Sequence, residues 1–135
     1  MDRDWAGQTA PTLQDFEKIA ADAYKALPER FRVMTEGLVI RVADFPEPQV
    51  VNELGLENEF DLLGLFQGVG LAHDDAVPQT GRMPNMVFLY RRPILDYWAE
   101  HEESLGHIVT HVLVHEIGHH FGLSDEDMEA IEAAA

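Results

Sequence analysis

From about Glu103 to Phe121 the chain places Leu105, Ile108, Val109, Val112, Leu113, Ile117 and Phe121 at helical spacing. These residues fall on several faces of one helix, so that helix has to be enclosed on most sides, at the centre of its domain. Gly122 follows where a left-handed cap would end it.

Polar residues inside such a run are costly unless they have partners. Three stand together in His115-Glu116-Ile117-Gly118-His119. His115 and His119 are four residues apart, which puts both imidazoles on one helix face, one turn apart. Two nitrogen ligands at that separation can share one zinc ion. Glu116 flanks that face, too far round to ligate but near enough to take a proton from a metal-activated water. Gly122 and then Asp125 continue the pattern at intervals of three. A glycine turn there can bring Asp125 back as a third, anionic ligand, leaving the fourth position open. Glu129 is the best rival, one turn further on, while Glu126 and Asp127 read as a solvated acidic face.

The chain has 135 residues, enough for one domain with one core. Residues 1–10 carry no period and read as a loose tail, leaving 11–135 as a single domain. Thr12 and Asp15 form the frame of a capping box ahead of an apolar face containing Phe16, Ala20, Tyr24 and Leu27, and Pro28 ends that helix. Gly37 to Val42, Leu62 to Gly68 and Met86 to Tyr90 read as strands, and 70–84 as an irregular loop. Pro93 suits the first turn of another helix, and Ser124 can cap a short last one. The expected fold is α+β, a small sheet packed on the central helix.

There is no cysteine, so any metal must be held by His, Asp or Glu. Lys and Arg total 9 against 25 Asp and Glu, a net charge of −16. Such a charge argues against nucleic acid and anionic membranes as partners, and peptides or proteins remain. No apolar run approaches the ~20 residues of a membrane span. The first residues do not form a signal peptide, so the expected location is cytoplasmic.

The segment Val114-His115-Glu116-Ile117-Gly118-His119-His120-Phe121-Gly122-Leu123-Ser124-Asp125 resembles the signature of a family of small bacterial zincin-like metallopeptidases with a minimal zincin fold. Leu62 to Gly68, Val87 to Pro93 and the helix bearing Phe16 are also similar to that family, and the likeness covers most of 12–126. The resemblance implies a zinc site at His115, His119 and Asp125, with Glu116 as base, beneath a mixed sheet. The wider metzincins end a similar motif in His and carry a methionine turn well downstream. Here Met128 is too close to Asp125 for that and reads as a packing residue of the last helix.

The remaining histidines read differently. His107 and His111 continue the four-residue spacing upstream, but each step drifts about 40° around the helix, so supporting or surface roles are expected. His120 reads as a half-exposed neighbour, and His73 and His101 as surface residues. Tyr90, Tyr97 and Arg91 are oxyanion-stabilising candidates by residue type alone. Leu62 to Gly68 or Met86 to Tyr90 could supply a sheet edge for an extended peptide. The expected function is a zinc-dependent metallopeptidase. The alternative is a metal-stabilised peptide- or protein-binding module with little hydrolysis.

Overall fold

Ser104 caps the central helix, its hydroxyl accepting from the backbone N–H of His107 at 3.1 Å. In the computed structural model, which describes residues 5–68 and 85–135, that helix runs from Leu105 to His120. It follows α1 (Leu13–Lys25), α2 (Glu29–Met34), β1 (Val39–Ala43), α3 (Pro48–Glu53), β2 (Gly64–Gln67), β3 (Met86–Tyr90) and α4 (Arg91–Glu100), so it is α5. Helix α6 (Asp125–Ala133) follows. Single 3-10 turns occupy Trp5–Gly7, within the expected tail, and Glu59–Asp61. The expected loop at 70–84 and His73 lie outside the described residues. No helix among the described residues is long and apolar enough to cross a membrane.

The caps at α1 and α6 form as the sequence predicts. Thr12 and Asp15 exchange hydrogen bonds at 2.8 and 3.1 Å. Ser124 and Asp127 do the same at the start of α6. Gly122 has φ +74°, the left-handed conformation that lets the chain leave α5 and turn back.

Two helices were not foreseen. Pro28 does stop α1, but it also precedes α2, which buries Phe31; Pro48 interrupts the chain after β1 and then occupies the first turn of α3. A proline that cannot continue one element is pre-set to begin the next. The first strand begins at Val39 rather than Gly37, because Gly37 takes φ +86° in the turn before it. Helix α4 begins two residues ahead of Pro93, directly from the end of β3.

Among the described residues the strands form one mixed sheet in the order β1-β3-β2, with β1 parallel and β2 antiparallel to β3. Helices α1 and α5 pack on each other, α1 also against β1 and α5 against β2 and β3. Val87 and Leu89 of β3 meet Phe16, Ala20, Val109, Leu113, Val114 and Ile117 in one core. Val109, Leu113, Val114 and Ile117 are fully enclosed, which satisfies the many-sided apolar pattern of α5. Met86 to Tyr90 is therefore the central strand and offers no free edge; β2 is the edge strand on the side of α5.

Candidate metal centre

Helix α5 presents His111, His115 and His119 as one stripe. The His111 and His115 rings are 4.0 Å apart between centroids, and His115 and His119 are 5.6 Å apart, edge to face. Opposite them stands α6. Met128 and Ile131 turn into the core, which leaves Asp125, Glu129 and Glu132, at spacings of four and three, on the face toward α5. Together, His111, His115, Asp125, Glu129 and Glu132 line an open cleft of about 450 Å³ between the two helices.

Inside the cleft Glu132 spans two imidazoles. Its Oε1 lies 2.9 Å from Nδ1 of His111, and its Oε2 lies 3.3 Å from Nε2 of His115. His111, His115 and Glu132 are thus the described residues whose donor atoms are all brought within 4.8 Å of one another. Asp125 shares the cleft with His115. His119 stands exposed beside His115, one turn nearer the end of α5. Glu132 was missed by sequence reasoning, although Asp125, Glu129 and Glu132 form a legible carboxylate stripe on a nine-residue helix. His111 lines the cleft directly, while His107 pairs with Glu103 at 3.3 Å on the outer surface.

Glu116 points the other way round the helix, toward the sheet. Strand β2 lies against α5 there. A Cβ on Gly64 would stand 2.6 Å from Cγ1 of Val112 and 3.4 Å from Cγ of Glu116. Burial pushes the Glu116 carboxyl above its ordinary range, partly offset by the His119 charge and by a hydrogen bond from the backbone N–H of Phe66. That N–H lies on the side of β2 that faces away from β3, where no strand pairs with it among the described residues. The carbonyl of Leu63 accepts from the N–H of Tyr90, so Leu63 and Leu65 turn their backbone groups to β3, and Gly64 and Phe66 turn theirs outward. The Phe66 ring stacks on His120 at 3.9 Å, and burial lowers the pKa of that histidine.

The oxyanion candidates separate. Arg91 is engaged elsewhere, by the Pro11 carbonyl at 2.6 Å and Asp44 at 3.0 Å. Tyr97 stacks on His101, whose Nδ1 lies 2.7 Å from the Tyr97 carbonyl oxygen. Tyr90 is buried, and its hydroxyl is pushed up to about 12 by that burial and by the charges of Glu47 and Glu116.

Residues 35–135 match a family described as zincin-like metallopeptidase. The chain belongs to this family. The match takes in the sheet, α5 and α6, and with them every residue of the cleft. No curated protein matches the chain. A solved structure, a conserved hypothetical protein from Thermus thermophilus, is similar over 88% of this chain and 98% of its own, with a TM-score of 0.53 and 21% identity. At that identity the likeness speaks for the fold. The family implies a metal ion, usually zinc. The donors gathered in the cleft are imidazoles and carboxylates on two facing helices, a set that suits zinc, so the residues fit it.

Proposed function

We propose that the chain is a zinc-dependent hydrolase of peptide or amide bonds, with His115, His119 and Asp125 holding the metal and Glu116 as general base. The observation that carries this reading is the position of Glu116, between the histidine stripe of α5 and the outward-facing Phe66 N–H of β2. A carboxylate there feels the charge of His119 and lies beside the strand edge on which an extended peptide would rest, so it can exchange a proton with a group held on the His119 side of the stripe. Zinc, when bound, polarises a substrate carbonyl and acidifies water. The raised pKa of Glu116 brings it closer to neutrality, where a general base works best. Its carboxylate takes a proton and returns it to the departing amine. The outward N–H and carbonyl of Gly64 and the outward carbonyl of Phe66 can offer backbone partners to a peptide or protein substrate.

A second reading has its own support. Glu132 and His111 supply further donors beside His115, and a metal enclosed by four protein ligands has no position left for substrate. On that reading the protein is a metal-stabilised binding module for peptides or proteins. A peptide-library cleavage assay on zinc-loaded protein decides between the two. Cleavage by the wild type, lost by orders of magnitude in Glu116→Gln with zinc content unchanged, supports the hydrolase. Peptide binding without cleavage supports the module.

A further inference from the structure

Glu132 engages two imidazoles with two different oxygens, Oε1 toward His111 and Oε2 toward His115. That is how a carboxylate sits when it bridges two centres. The contacts also need something between their atoms: an imidazole nitrogen and a carboxylate oxygen both carry lone pairs, so each stable approach holds a proton or a cation. Glu132 is largely shielded, with 15% of its side chain exposed, whereas His111 is 53% exposed and open to an arriving ion. Glu129, one helical turn before Glu132, lines the same cleft.

We infer that His111 and Glu132, with Glu129 beside them, form a second site for a divalent transition-metal ion, next to the one held by His115 and His119. Nitrogen and carboxylate donors without thiolate favour zinc, cobalt or nickel over calcium or magnesium, which take oxygen ligands. The Glu132 carboxylate turns one oxygen to His111 and the other to His115, so it stands between the two proposed positions. The first ion in this arrangement rests on the reading given above. The second rests on the Glu132 contacts alone.

The test counts ions. The full chain, freed of metal, is dialysed to equilibrium against buffered zinc and analysed for bound metal, with circular dichroism as a check on folding. The wild type takes up about two zinc ions per chain, and His111→Ala, Glu132→Gln and His119→Ala each take up about one. A wild type that saturates at one ion, matched by His111→Ala and Glu132→Gln, overturns the second site. A single ion lost in His111→Ala and kept in His119→Ala upholds the His111–Glu132 site and overturns the His115–His119 assignment instead.

Discussion

Gly118 of α5 and Met128 of α6 meet where the two helices that form the cleft pack together: a Cβ on Gly118 would lie 2.5 Å from Sδ and 2.8 Å from Cγ of Met128. Met128 is fully buried, so its thioether has no free space to move into. The glycine inside the motif therefore places the carboxylates of α6 within reach of the histidines of α5. Met128 is a packing residue, as its position after Asp125 predicts.

Replacing Gly118 tests that relationship. Gly118→Ala should destabilise the fold by about 1–3 kcal/mol through overpacking, more than the helix propensity it gains. Zinc affinity should fall with it, because α6 is pushed outward. Gly106→Ala serves as the control, since a Cβ there meets nothing within 4 Å, and it should be neutral or slightly stabilising. Urea unfolding of the three proteins gives the comparison. Equal stability of Gly118→Ala and wild type would show that α6 is not seated on Gly118.

The carboxylates at the start of α6 should divide by role. Asp127 returns a hydrogen bond to the backbone N–H of Ser124 and faces away from the cleft. Asp127→Ala should cost about 1 kcal/mol or less of stability through the lost cap and leave zinc affinity intact. Asp125→Ala should weaken zinc binding markedly with little loss of stability in the metal-free protein. Calorimetric zinc titration and thermal melts of both variants separate the effects. An unchanged zinc affinity in Asp125→Ala would pass the third-ligand role to Glu129 or Glu132.

Metal and fold should be linked. Zinc bound only by the native state at a hundred times its dissociation constant adds about 2.7 kcal/mol of stability. A thermal shift assay should show the melting temperature rising with zinc and falling on chelation. Acidification should weaken the effect, because protons compete for the imidazole nitrogens. A melting temperature indifferent to zinc and chelator would count against any metal site in the cleft.

Tyr90 gives a pH prediction with a definite sign. Its folded pKa, about 12, lies above the ordinary value of 10.0, so the neutral phenol is the form the fold favours. The associated stability is complete below pH 10 and is lost as pH rises from there through about 12. In an ultraviolet titration one of the three tyrosines should ionise late, and Tyr90→Phe should remove that late component. Three tyrosines ionising together near the ordinary value, in protein still folded, would contradict the burial of this hydroxyl.

What the sequence determined by itself was local or periodic. The enclosure of α5 followed from apolar residues on several of its faces, and the starts of α1 and α6 from Thr12 and Ser124. The turn at Gly122 followed from a position that needs φ > 0. The spacing of His115, Glu116 and His119 likewise fixed which side chains share a helix face. Tertiary structure decided the rest. Which strand lies at the edge depends on pairing order, which puts β3 in the centre and β2 outside, although both read alike as short apolar runs. Helices α2 and α3 are too short for a periodic signal, and the prolines that begin them also read as breaks. The arrival of Glu132 between His111 and His115 depends on the angle at which α6 returns across α5, set by the turn at Gly122 and the contact of Gly118 with Met128. Residues 21 and 17 positions apart in the chain, His111 and His115 from Glu132, carry no local pattern that pairs them. Only the packing of one helix on another brings a carboxylate and two imidazoles to the same place.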